Sequence, residues 1–273
     1  MVEDPVLQTP LFVPAHRPEL FAKARAAGPD ALILDLEDAV PAAAKAKARQ
    51  SFAQGLPDIP LIVRVNATGT ADHAPDLEAL VGIPLVAIMV PKAEDPAMVA
   101  QVAKQSGRPI IALIETAAGL AQARAIAGLP CLMQIAFGSI DFCADLGYAH
   151  MRDILLPARF ELVLASRLAG KAPPLDGVTT QITDPSLCQA DALHARALGM
   201  GGKLCIHPNQ IECVRQAFVP SQDELIWAER VLASGDGAVK LDGAMIDEPV
   251  RIRARRILAQ HAATRDKPAR KQP

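Results

Sequence analysis

Eight short apolar runs, rich in Val, Ile and Leu, recur along the first 218 residues, with Ala-rich stretches of helical period between them. Parallel strands cannot be joined by a tight turn, so a repeated strand–helix alternation points to βα crossover units and a parallel sheet. The runs fall at 11–14, 31–37, 61–65, 86–91, 110–115, 134–138, 175–178 and 203–207. Helical stretches lie at 18–27, 42–53, 96–106, 117–127, 152–169, 185–198 and 209–218. Pro18, Pro96 and Pro185 stand near helix starts, and Gly28, Gly107 and Gly199 just past helix ends. An eightfold alternation favours an α/β chain closed into a (β/α)8 TIM barrel, although a doubly wound open sheet shares much of this pattern. Pro173-Pro174 interrupts the start of the seventh run.

The 273 residues suit one barrel of ~250 residues with an appendage. After residue 220 the pattern changes to an amphipathic helix at 223–233 carrying the only tryptophan, Trp227. A connection containing Gly235, Gly237 and Gly243 follows, then a basic helix at 251–260. The expected organisation is therefore a barrel over 1–220, a C-terminal helical extension over 221–262 and a disordered tail over 263–273. Trp227 reads as core or interface, given the area an indole buries.

With 28 basic against 30 acidic residues, the chain carries no electrostatic footprint for nucleic acid or an anionic membrane. No apolar run approaches the ~20 residues of a membrane span. Met1–Pro5 lacks the basic and apolar regions of a signal peptide. The five cysteines form an odd set without a C-x-x-C pair, which suits a reducing compartment. The expected location is the cytoplasm, and the expected partner is a small molecule.

Polar residues collect at one end of the apolar runs. Glu37 and Asp38 follow 33–36, Arg64 and Asn66 bracket Val65, and Lys92 follows 89–91. Glu115 follows 111–114, Ser139 and Asp141 follow 136–138, and His207 follows 204–206. All are C-terminal ends, the face on which βα loops converge and barrel active sites form. Approach to solvent would explain any one of these residues, but explains carboxylates written into apolar runs less well. Glu115 and Asp141 end neighbouring runs, so strands ~4.8 Å apart bring both within reach of one ion. Two carboxylates suit Mg2+, which keeps several waters, better than Ca2+ with its six to eight ligands or zinc with its His and Cys. Arg64 would add positive charge for a substrate carboxylate or a developing oxyanion. His16 and His207 are the histidines near this face. Gly199–Lys203 precedes a strand instead of opening a helix, so it reads as a helix stop and not a phosphate loop.

Seven segments together carry a resemblance. They are Leu11-Phe12-Val13-Pro14, Asp35-Leu36-Glu37-Asp38-Ala39-Val40, Arg64-Val65-Asn66, Pro91-Lys92, Ile114-Glu115-Thr116, Gly138-Ser139-Ile140-Asp141 with Asp145-Leu146-Gly147, and Ile206-His207-Pro208-Asn209-Gln210. In order and over nearly the whole chain, they resemble the citrate lyase β-subunit family of the wider HpcH/HpaI aldolase group, akin to malyl-CoA lyases. The resemblance implies a TIM barrel, Mg2+ held by Glu115 and Asp141, and reversible cleavage of a 3-hydroxyacyl thioester to an acyl thioester and a 2-oxo acid. It implies Arg64 as substrate and enolate clamp, Glu37 in the polar shell, and substrate contacts from Glu115, Asp38 and His207. Met245-Ile246-Asp247 with Pro249 is similar to a family segment whose Asp reaches a neighbouring subunit's site, making Asp247 a candidate acid/base in a homotrimer or hexamer.

Gln8-Thr9 and Ala15-His16 depart from the family's usual residues near the expected thioester-binding mouth, and Glu248 adds charge beside Asp247. These departures leave open whether the acyl group rides on CoA or a carrier protein. The same parts could run condensation with thioester hydrolysis, as in a malate synthase, or act as an aldolase on free 2-oxo acids. They could also serve as a subunit of a larger citrate lyase complex.

Overall fold

The computed structural model describes residues 7–265. Met1–Pro5 and the expected tail from residue 266 onward lie outside the described residues. By backbone contacts the chain divides into two compact units, Met1–Arg215 and Gln216–Pro273.

The first unit is an α/β fold around an eight-stranded parallel sheet: β1 (Leu11–Pro14), β2 (Leu32–Asp35), β3 (Leu61–Arg64), β4 (Ala87–Val90), β5 (Ile110–Ile114), β6 (Leu132–Phe137), β7 (Leu175–Asp176) and β8 (Gly202–Lys203). The strands stand in sequence order across the sheet, each joined to the next by a crossover, in a curled, TIM-barrel-like arrangement. Phe12 N–H donates to Cys205 O, and Cys205 N–H to Pro10 O, each at 2.9 Å, so the segment after β8 bonds to the segment around β1. No helix among the described residues is long and apolar enough to cross a membrane.

Alternation along the strands explains why both faces read as apolar. Ile33, Ile62, Met89, Ile111, Leu113, Ala136, Leu175 and Leu204 form one buried cluster on the inner face. The residues between them, such as Leu32, Leu34, Val63 and Ile88, are equally buried against the helix layer. Side chains two residues apart share a face. Asp35, Arg64, Glu115 and Gly138 therefore continue the inner face at the C-terminal strand ends, two residues past Ile33, Ile62, Leu113 and Ala136.

Most strands are shorter than the apolar runs, while β1 matches its run and β6 starts earlier, at Leu132. Glu37 and Glu115 lie beyond the ladders, and β7 and β8 keep only two residues each. Pro173 and Pro174 have no N–H to offer at the entry to β7. Gly202 lies against the segment preceding β1, where a Cβ would sit 2.5 Å from Gln8 Cα. Gly199 has φ of 94° just past the helix Pro185–Ala197, the helix-stop role expected of it.

Side chains reinforce the short pair. Asp176 and Lys203 are register partners facing the helix layer. Arg159, from the helix Leu156–Leu168, donates to Asp176 through Nε at 2.8 Å and Nη2 at 3.3 Å. Lys203 Nζ lies 3.4 Å from Asp176 Oδ2 and also donates to Gly177 O. Burial works to raise the Asp176 pKa, but Lys203 and Arg159 outweigh it and hold the carboxyl below its ordinary range.

The second unit contains the helix Gln222–Ala233, a hairpin of β9 (Val239–Leu241) and β10 (Ala244–Ile246), and the helix Glu248–Arg265. Ser221 and Glu224 form a capping box at the first helix. The stretch expected to be a flexible connection is thus partly a hairpin. Asp242-Gly243 supplies its two-residue turn, both at positive φ (49° and 83°), as that turn requires. Leu225, Ala228, Val231, Ile246, Ala254 and Ile257 form the core. Trp227 packs on this core with Arg253 over its ring, in keeping with its core reading.

Asp176→Asn removes the carboxylate charge that Arg159 and Lys203 share while leaving both cations buried. The expected cost is about 3–5 kcal/mol of unfolding free energy, measurable by urea denaturation.

Candidate active site

Glu115 stands one residue past β5 and is 1% exposed. Its Oε1 accepts the backbone N–H of Lys92 at 2.8 Å, while Oε2 is buried without a hydrogen-bond partner. The carboxylate lies across Gly138, one residue past β6, where a Cβ would stand 2.5 Å from Glu115 Cβ and 2.6 Å from Oε2. Any larger residue at 138 would displace it. Gly138 leads into the helix Ser139–Leu146, whose first turn carries the half-buried Asp141. Burial, then the charge of Glu37, raises the Glu115 pKa to about 8 against the Lys92 N–H, with Asp141 adding to the rise and Arg64 opposing it.

The second half of the group is built on one guanidinium. Arg64 ends β3 and is the register partner of Asp35, which ends β2. Arg64 Nε and Nη2 donate to the two oxygens of Asp35, each at 2.7 Å, in a bidentate fork. Asp35 also accepts the N–H groups of Glu37 at 2.9 Å and Ala39 at 3.0 Å, so it holds the loop as well as the cation. Nη1 is the Arg64 nitrogen that Asp35 does not engage. It reaches Asp38 Oδ2 at 3.3 Å and stands 3.1 Å from Glu37 Oε2, an ion pair without hydrogen-bond alignment. Phe12 lies under the guanidinium, 5.1 Å from ring centroid to Cζ. Glu37 Oε1 accepts from Lys92 Nζ at 3.1 Å. Burial raises the Glu37 pKa; Arg64 opposes that rise, Asp38 adds to it and Lys92 opposes it.

Of the residues singled out from sequence, Glu37, Asp38, Arg64, Glu115 and Asp141 therefore share one electrostatic group. His207 is engaged with its own turn: Nδ1 accepts from Asn209 N–H at 3.2 Å and its N–H donates to Gln210 Oε1 at 3.3 Å. His16 Nδ1 is buried without a hydrogen-bond partner. Asp247 belongs to the second unit and leads into the helix Glu248–Arg265, its carbonyl accepting from Arg251 N–H at 3.1 Å. Two residues went unassigned from sequence. Asp35 carried a signal, since it ends its run where Arg64 ends the next; Lys92 stood in the polar set without a role.

Among the described residues no group of three or more His, Cys, Asp or Glu could hold a metal ion. A cation at Glu115 and Asp141 would thus take two protein carboxylates and fill its remaining positions with water or substrate oxygens. The unpartnered, buried Oε2 of Glu115 fits such a hard cation, whose charge would offset the burial that favours the protonated acid.

The family description HpcH/HpaI aldolase/citrate lyase matches residues 8–208. The chain belongs to this family. It is accordingly an enzyme of the carbon–carbon lyase kind. A citrate lyase subunit beta-like protein of Mycobacterium tuberculosis is 43% identical over 263 residues, covering 91% of this chain and 93% of the relative. A (3S)-malyl-CoA thioesterase of Cereibacter sphaeroides is 32% identical over 267 residues, covering 93% and 94%. Among solved structures, M. tuberculosis CitE with magnesium, acetoacetate and coenzyme A has a TM-score of 0.87 at 41% identity, covering 94% of this chain and 98% of that one. The M. tuberculosis citrate lyase beta subunit with oxaloacetate and magnesium has a TM-score of 0.71 at 40% identity, covering 81% and 100%. Magnesium is thus bound in both structures of this relative.

Because the folded state raises the Glu115 pKa, it binds a proton that the unfolded chain releases at ordinary carboxylate pH. The metal-free protein should lose stability as pH rises from the ordinary carboxylate value of 4.5 to about 8. Denaturation in EDTA across that window checks this, with Glu115→Gln expected to gain stability relative to wild type as pH rises. Added Mg2+ at pH 8 should stabilise wild type and not the variant.

Proposed function

We propose that the chain is a Mg2+-dependent lyase that cleaves, or in reverse forms, a 3-hydroxyacyl thioester such as citryl-CoA or malyl-CoA, giving an acyl thioester and a 2-oxo acid. The carrying observation is Glu115, a buried carboxylate with one oxygen bonded and the other without a partner, in the field of Asp141 and Arg64. Glu115 and Asp141 would hold Mg2+, which supplies Lewis acidity toward substrate oxygens when bound. The M. tuberculosis structures with magnesium and oxaloacetate or acetoacetate support that choice of cofactor and of oxo-acid chemistry.

The chain's own residues meet the demands of the cleavage. A base removes the 3-hydroxyl proton; the oxygen's electron pair becomes the new carbonyl as the C2–C3 bond breaks. The bond electrons enter the thioester enolate, which is then protonated at C2. Arg64, held by Asp35, turns its Nη1 edge to the substrate carboxylate or the enolate oxygen as a charge-assisted donor. Glu37 and Asp38 orient that edge. His207 takes a substrate contact through Nε2, the ring nitrogen that carries the proton when Nδ1 accepts from Asn209.

We assign the proton transfer at C2 to Asp247 of a neighbouring subunit, in a homotrimer or hexamer to which 221–262 contributes. Residues 1–220 would form the catalytic barrel, closed between β8 and β1, a reading supported by the Phe12 and Cys205 hydrogen bonds. The free cysteines accord with a cytoplasmic location. Hydrolysis of the thioester is the second reading, favoured by the malyl-CoA thioesterase relatives.

Incubation with malyl-CoA or citryl-CoA and Mg2+ should release glyoxylate or oxaloacetate with an intact acyl-CoA. Free CoA appearing with the intact hydroxy acid would support hydrolysis instead. Glu115→Ala and Asp141→Ala should each lower kcat at least about a hundredfold, since loss of the metal removes several kcal/mol of transition-state stabilisation. Near-native turnover in either, at saturating metal, would sink the assignment. Mixed oligomers of Asp247→Asn and Arg64→Ala should recover part of the activity that each variant lacks alone.

A further inference from the structure

Lys92 has a backbone conformation that its side chain does not favour. Its φ is 46°, one of two positive values among the described non-glycine residues. The ladder between β4 and β5 accounts for it. Ile88 N–H donates to Pro109 O at 2.9 Å, and the two-residue step of a parallel ladder would carry Lys92 N–H to Leu113 O. Instead Ala93 N–H donates to Leu113 O at 3.2 Å, so one extra residue is accommodated at Pro91-Lys92.

The slip changes where Lys92 points. Met89 belongs to the inner cluster, so strict alternation would aim Pro91 inward and Lys92 toward the helices. The extra residue with its left-handed turn aims both donors of Lys92 at inner carboxylates. The N–H bonds Glu115 Oε1 at 2.8 Å and Nζ bonds Glu37 Oε1 at 3.1 Å. One residue therefore ties one oxygen of each of two neighbouring buried acids. Both acids thus lie against the same residue, which makes Glu37 the acid placed to compete for a cation at Glu115 once that tie is lost. Arg64 Nη1 and Lys92 Nζ each pair with one of the two oxygens of Glu37.

We propose that Lys92 is a positioning residue that keeps Glu37 off the metal, so that Glu115 and Asp141 alone supply protein oxygens and the other coordination positions stay open to a 2-oxo acid and water. This rests on the reading of Glu115 and Asp141 as the metal pair. Without the ammonium, Glu37 swings to the cation as a third carboxylate, tightening the metal and closing a substrate position.

The test is Mn2+ binding to the full chain, followed by the EPR signal of free Mn2+ and by water-proton relaxation of the loaded protein. Lys92→Met should bind Mn2+ about tenfold tighter, since ligand charge sets affinity, with fewer exchangeable metal-bound waters. Lys92→Ala repeats the measurement should Lys92→Met misfold. The double variant Lys92→Met/Glu37→Gln should return to near wild-type affinity, and Lys92→Arg should remain there. Wild-type binding that is unchanged or weakened in Lys92→Met, or tightening that survives Glu37→Gln, overturns the proposal alone. A folded wild-type protein that binds no Mn2+ overturns the metal pair and the proposal together.

Discussion

The fork between Arg64 and Asp35 is the interaction on which the acidic end of the sheet depends. Burial penalises the ionised forms of Glu37 and Glu115, the exposed Asp38 stands beside them, and Arg64 is the cation whose field reaches all three. A guanidinium stays charged at any pH the protein meets, so it can anchor such a group permanently. Two of its nitrogens are fixed on Asp35, whose oxygens also hold the N–H groups of Glu37 and Ala39. Cation, loop and neighbouring acid are therefore oriented by one carboxylate, and the Nη1 edge is left to Glu37 and Asp38.

The sheet makes that fork possible and limits it. Register pairs Asp35 with Arg64, and alternation turns both inward above a cluster of Ile, Leu and Met that keeps water from below. Gly138 leaves the space that Glu115 occupies, and the Lys92 slip brings an amide into that same space. Neither feature adds a reactive group. Each decides which oxygen of Glu115 is bonded and which is left without a partner.

A second buried charge cluster has the opposite character. Asp176, Arg159 and Lys203 lie between sheet and helices, where the carboxyl is held below its ordinary range and the pairs stabilise two short strands. At the inner strand ends burial, with the charge of Glu37 adding to it, raises the pKa of Glu115. Carboxyls on the two faces of the sheet are thus shifted in opposite directions, according to whether neighbouring cations outweigh burial.

Period and punctuation were legible in the chain itself. Eight apolar runs, their order, and the collection of polar residues at one end of each follow from local patterning, because strand and helix periods and turn residues act over a few positions. Glu115 and Asp141 could be paired on that basis, as could Arg64 with the same face. What the tertiary structure decided was partnership. Asp35 looks like its neighbours Glu37 and Asp38 in sequence, and only the β2–β3 register sets it against Arg64. Lys92 acquires two partners through a one-residue slip in a ladder, and His207 Nδ1 finds its partner within its own turn. The hairpin through Asp242-Gly243 needed pairing between segments that a run of glycines had suggested were loose. Local propensity fixes where an element lies, but which charges meet depends on register, on burial and on the room a glycine leaves, and these exist only once the strands are side by side.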